Sequence, residues 1–387
     1  MHEPAHRRSI AALGDVLDPD CFGGSPSQFF HESKRRGFAH DAWRVNLPRL
    51  RRDRLRWNAG RVLRGRKPGG FQFSSAGRKA ALNRADRGLL ATDVISFHQH
   101  IPPFDEIKIA GGTLNFYIDA TYLQLFPAYG IDRILSESAV REALDYEREA
   151  FRSAKRIVAS QRWTLRSLVD DYGISADKCS VILPAPNYAV YPGVRPEPEG
   201  VAGRDRPFVI GFIGKDWRRK GLKVAVEVAR ILTRIGWKVR IQAIGFVAGD
   251  CPYGDEVDCL GFIDKRTQFG PFLHGCDVGC LFSSAEAAGI AAMEFIGVGV
   301  PVAGFTVNGL NDLLPEEAGF RFPHSSSPDL IASVFDGYLR DVAKQHALRA
   351  NAIDFASQLT WRRCVDEFEE LWRTGAVSSP FKLWTGA

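Results

Sequence analysis

Apolar positions fall in two alternating patterns along the chain. Short, nearly continuous apolar runs mark strands buried on both faces, and stretches with apolar residues every third or fourth position mark helices packed on a sheet. The run DVISF (93–97) reads as a buried strand ending at His98. VREALDYEREAFRSAKR follows as a long amphipathic helix, then the strand RIVAS, the helix RWTLRSLVDDYG and the strand SVILPAPN. A first, weakly apolar strand is expected around Ile10 to Leu17. The stretch PGVRPEPEGVAGRDRP, rich in Pro, Gly and charge, interrupts the alternation and predicts a linker. Beyond it the alternation restarts with FVIGFIG, GLKVAVEVARILTRIG, KVRIQAIG, DVGCLFS, IAAMEFIGVG and VPVAGF as strand, helix, strand, strand, helix and strand. Two such series predict an α/β protein of two Rossmann-like parallel-sheet domains, 1–190 and 191–360, facing across a cleft. Ligands of such folds sit at the carboxyl ends of the strands.

Composition narrows the classes without choosing among them. At 387 residues, 45% hydrophobic and 25% charged, the chain has room for two cores. The start MHEPAHRRSIAALGDVLD lacks an apolar signal core, and no run approaches a spanning helix, so a cytoplasmic chain is expected. The seven cysteines form neither a C-x-x-C pair nor a zinc-spaced cluster, so they predict free thiols and no metal. Net charge is +6, and the excess is concentrated between Lys34 and Lys67, where Trp43, Leu50, Leu55, Trp57 and Val62 interleave with the cations. That run reads either as a solvated face or as a peripheral contact, for which an anionic membrane or acidic polymer is favoured. No nucleic-acid motif accompanies it.

The candidate chemistry is concentrated in SSAEAAGIAAMEFIGVGVPVAGFTVNG, Ser283 to Gly309. Glu286 follows a strand, and Glu294 lies eight positions on, inside a helix opening near Gly289 whose unpaired N–H groups can meet an anion. A carboxylate on each side of such an N-terminus can hold two sets of hydroxyls while the helix holds phosphate, which is what a nucleotide sugar requires. As isolated glutamates, the two would read as a loop residue and a surface helix residue. In GFIGKDWRRKGLKVAVEVARIL a strand ends at Gly214, and Lys215, Arg218, Arg219 and Lys220 precede the helix. Cations at that turn suit a diphosphate.

The spacing Glu286-x7-Glu294 followed by GVGVPV, with Lys220-Gly221 about seventy residues before it, resembles the family 4 (group 1) retaining glycosyltransferases of the GT-B fold. The resemblance implies that Glu286 contacts the donor sugar, backbone amides at Gly289 and Ile290 orient it, and Glu294 holds the ribose hydroxyls. Gly214, Lys215, Arg219 and Lys220 would surround the diphosphate, although Arg is commoner where Lys215 stands. Asn308-Gly309 replaces the usual Gly-Gly after the motif, with Asn308 tolerating a left-handed turn. A strand-end His faces the donor in many relatives, which points to His98, with His100 as the alternate. Gly23 and Gly24 of CFGGSPSQFF resemble the family's glycine loop, where backbone approaches phosphate or acceptor. Residues 361–387 resemble a terminal helix packing back towards the first domain.

The implied reaction moves a sugar from a nucleoside-diphosphate sugar to a glycan or lipid-linked acceptor hydroxyl, as in polysaccharide or glycolipid synthesis. It proceeds with retention, with no metal and no cofactor. A sugar-nucleotide epimerase on the same architecture would turn over donor without acceptor. A non-catalytic polyanion- or membrane-binding protein would not turn it over at all.

Overall fold

A computed structural model describes residues 7–45, 50–97, 103–188 and 202–377. The chain divides into two compact units, one formed by residues 1–185 with 361–380 and the other by 186–360 with the last seven residues.

The first unit is built on a six-stranded parallel sheet of β1 (Arg8–Ala11), β2 (Asp41–Ala42), β3 (Asp93–Phe97), β4 (Thr113–Ile118), β5 (Arg156–Ala159) and β6 (Cys179–Val181). Their order across the sheet is β2-β1-β3-β4-β5-β6. Both faces are covered, and the pleat sorts the side chains. Leu114, Phe116 and Ile118 of β4 enter one apolar cluster while Tyr117 enters the other. The second cluster is completed from far along the chain by Cys364, Val365, Phe368 and Leu371 of the helix Trp361–Thr374. Phe368 packs 4.8 Å from the Phe29 ring and 5.0 Å from Tyr117. Trp372 donates its indole N–H to Asp93 at 2.8 Å.

The second unit repeats the plan with β7 (Phe208–Ile213), β8 (Val239–Ile244), β9 (Asp258–Cys259), β10 (Val278–Leu281), β11 (Val302–Phe305) and β12 (Gly319–Phe322). Their order is β12-β11-β10-β7-β8-β9, with every pairing parallel. In each sheet the chain winds outward from its first strand and then returns to that strand's other side. The direction therefore reverses between β1 and β3, and between β7 and β10. In sheets of this kind ligands bind beside the loops that leave such a reversal point, because successive crossover connections diverge there.

Three sequence expectations change. The first strand is confined to Arg8–Ala11, since the chain turns at Gly14 (φ 138°) before Leu17 is reached. SVILPAPN pairs with β5 at Ser180 and Val181 and makes a last bond from the Ile182 N–H to the Ala159 carbonyl at 3.0 Å, and the prolines at 184 and 186 have no N–H to extend the ladder. The apolar residues of the basic segment do not all face outward. Trp43 is fully buried with its indole on Ser9, Leu50 is buried, and Trp57 is half-buried and donates to the Gly69 carbonyl. Among the described residues, no helix is long and apolar enough to cross a membrane.

Candidate functional site

The loops after β7 and β10 meet at the reversal point of the second sheet, and the sequence-predicted charges converge there. Gly214 directly follows β7, and a Cβ at that position would lie 2.9 Å from Cγ of Lys220, so the glycine leaves room for the lysine stem to cross it. Lys220 donates to Glu286 Oε2 at 2.7 Å, with both side chains largely withdrawn from solvent. Arg219 reaches the same carboxylate at 3.7 Å and donates to the Ala285 carbonyl at 2.5 Å. Ser283 Oγ donates to Glu286 Oε2 at 3.3 Å. Arg218 is engaged otherwise, stacked 4.2 Å over the Trp217 ring, and Lys215 is exposed with no ion pair among the described residues.

Glu286 is also tied to the loop after β11. Its N–H points to Asn308 Oδ1 at 3.4 Å, and its carbonyl accepts from the Gly309 N–H at 3.1 Å. Asn308 adopts φ +47°, a left-handed turn in which asparagine replaces glycine at modest cost.

Gly289, at φ +64°, caps the amino end of the helix Ile290–Gly297. A Cβ there would meet Leu313 at 2.6 Å, so two constraints select glycine. Ile290 opens the helix, whose remaining residues are all buried. Glu294 is therefore no surface residue. It is 5% exposed, and its two oxygens accept the backbone N–H groups of Asn187 and Tyr188, each at 2.9 Å. Burial pushes its carboxyl up to about 7, against the lowering effect of those two bonds. The sequence reading missed these partners because a backbone donor a hundred residues away leaves no side-chain signature.

In the first unit, Gly23 and Gly24 have φ +68° and +113° and follow Phe22 at +54°, so three left-handed residues turn the chain into the helix Ser25–Arg35. Nothing lies within 4 Å of a Cβ at Gly23, which leaves that side of the loop open. His98 and His100 lie outside the described residues. Among the described residues, no group of three or more His, Cys, Asp or Glu is placed to hold a metal ion.

Two six-stranded parallel α/β units are the plan of the GT-B architecture, which the solved structures below share. Residues 196–355 match the family described as glycosyl transferases group 1. The D-inositol 3-phosphate glycosyltransferase of Nocardiopsis dassonvillei is 25% identical over 256 residues, covering 61% of this chain and 59% of that protein. That of Stackebrandtia nassauensis is 28% identical over 220 residues, 52% of this chain and 49% of that protein. The chain thus spans about half to three fifths of the length of these curated relatives. Among solved structures, Anabaena HepE in complex with UDP aligns at 17% identity over 95% of this chain and all of that one, with TM-score 0.63. A glycosyltransferase from Rickettsia africae aligns at 12% over 97% of this chain and all of that one, with TM-score 0.64.

Proposed function

We propose that this protein is a retaining glycosyltransferase that moves a sugar from a nucleoside-diphosphate sugar to a hydroxyl of a glycan or lipid-linked acceptor. The observation that carries the reading is the Lys220–Glu286 pair at the β7/β10 reversal point, beside the helix that opens at Ile290. An ammonium has three donors, so Lys220 can keep Glu286 and still donate to a phosphate oxygen. Negative charge grows on the diphosphate as the glycosidic bond breaks. Lys220, Arg219 and the first N–H groups of the helix are held donors for that charge, and the exposed Lys215 is a further cation beside β7. They do the work that a metal ion does in other transferases. In this reading Glu286, held by Lys220 and Ser283, takes the hydroxyls of the sugar, and Glu294 takes those of the ribose. Positioning and electrostatics, rather than a protein nucleophile, supply the rate. The acceptor hydroxyl attacks on the face from which the diphosphate leaves. The protein works on the cytoplasmic side.

HepE was crystallised with UDP and with UDP-glucose, which makes uridine the first base to test here. The test combines thermal shift with a panel of nucleoside diphosphates and their sugars, and NMR of the transferred anomer. One nucleotide series should raise the melting temperature. Donor should be consumed only when acceptor is present, and the anomeric configuration should be kept. Lys220→Ala should lower kcat by about a hundredfold or more. Donor turnover without acceptor would mean an epimerase, and no stabilisation by any nucleotide would end the transferase reading.

A further inference from the structure

The helix Arg51–Val62 is turned the wrong way for an ordinary surface helix of a globular protein. Such a helix buries its apolar stripe and leaves its polar face in water. Here the inward contacts are made by Trp57, which donates to the Gly69 carbonyl, and by the buried Arg61, which donates to Lys67 O and Ser136 Oγ at 2.7 Å each. Leu55, Ala59 and Val62, at spacings of four and three, form one outward stripe that Leu63 extends. Leu55 and Val62 are each 58% exposed and Leu63 is 87% exposed.

Cations border that stripe on both sides. At 100° per residue, Arg52 and Arg56 fall to one side of Leu55, and Arg51 and Arg54 to the other. All four are exposed and carry no ion pair among the described residues. The helix's one acid, Asp53, is taken by Arg84 at 2.6 Å. The positive charge continues along the flank of the helix, where Arg56, Arg64 and Arg66 line a groove of about 610 Å³.

We propose that the outward face of Arg51–Leu63 is a membrane-docking surface for anionic phospholipid headgroups. In this arrangement Leu55, Val62 and Leu63 enter the headgroup boundary and the flanking arginines bind phosphates. Two features of the face argue for a bilayer over a soluble polyanion. A soluble polymer engages the charge and has no use for the leucines, whereas an interfacial helix needs an apolar stripe with long cationic side chains reaching up beside it. Charge complementarity sets the sign of the lipid.

The test is flotation of the full-length protein with phosphatidylcholine vesicles, plain or with about a third phosphatidylglycerol, at low and high salt. No donor or acceptor is present, so the result is independent of the transferase assignment. Wild type should bind the anionic vesicles only. Near an anionic surface each cation is worth about fivefold in affinity, so R51S/R52S/R54S/R56S should lose on the order of several hundredfold. L55S/V62S should lose about tenfold and become fully salt-sensitive. All six positions are exposed, and a circular-dichroism melt confirms that both variants fold. Undiminished vesicle binding by the arginine variant would overturn the proposal, as would no binding by wild type. So would an L55S/V62S variant that binds vesicles like wild type while the arginines alone govern binding to vesicles and to soluble polyglutamate, since the face would then be a general polyanion site.

Discussion

Glu286 and Glu294 are eight residues apart in sequence, but their surroundings differ. Glu286 is flanked by a lysine and an arginine, whereas Glu294 is buried and both its oxygens accept backbone N–H groups. Glu294 is therefore protonated in the folded chain at pH values where the unfolded chain has already lost the proton. With the folded value near 7 and the unfolded value near 4.3, the native state holds more protons in between, so stability falls as pH rises through that window. We predict that between pH 5 and pH 8 wild type loses on the order of 2–3 kcal/mol relative to Glu294→Gln, measured by urea unfolding at each pH. The difference between the two proteins is the informative quantity. Glu147, which accepts from Tyr122 N–H and Tyr172, is pushed by burial to about 8 and titrates in the same range in both. A difference that does not change with pH would show that Glu294 is ionised throughout. The sequence exposed the two glutamates and Lys220 because their spacing is a local property of one loop and one helix. It could not expose the N–H groups of Asn187 and Tyr188, which any residue but proline supplies.

At the level of elements, the turn into the helix Leu222–Arg234 is the tightest constraint on the site. Gly221 has φ +78°, and a Cβ there would lie 2.0 Å from the Phe282 carbonyl oxygen at the end of β10. Gly236 has φ +98° with nothing within 4 Å of a Cβ, so it isolates the cost of the backbone conformation from that of the clash. Gly236→Ala should cost about 1–2 kcal/mol in chemical unfolding, and Gly221→Ala at least about 2 kcal/mol more, with weaker nucleotide binding. Equal costs would mean that the close approach of the two loops is not fixed. Elements with near-continuous apolar runs, such as DVISF and FVIGFI, were legible from periodicity. β4 was not anticipated, although it is central to its sheet. Asn115 interrupts the run TLNFYI, and only the structure shows why it is tolerated there: its amide donates to Asp93 at 2.7 Å. β2, β9 and β12 were also missed, being two to four residues long. Trp43 and Trp57 misled in the opposite direction, because flanking arginines made core side chains look interfacial.

At the scale of the whole molecule, the helix Trp361–Thr374 belongs to the first unit although its sequence follows the second. Phe368 is fully buried there, ringed by Phe29, Phe38, Tyr117 and Trp372. Phe368→Ala should cost about 3–5 kcal/mol. Calorimetry should find that loss in the first unit's transition, with the transition assigned to residues 186–360 unmoved. A shift of both by the same amount would mean that the two units melt as one. The returning helix also sets a timetable for biosynthesis. Domains usually fold in the order in which they are made. Here residues 186–360 are fully synthesised while one face of the earlier sheet still lacks Cys364, Val365, Phe368 and Leu371. The unit translated first is therefore the last to close, and its open apolar face is what a chaperone would meet on the ribosome.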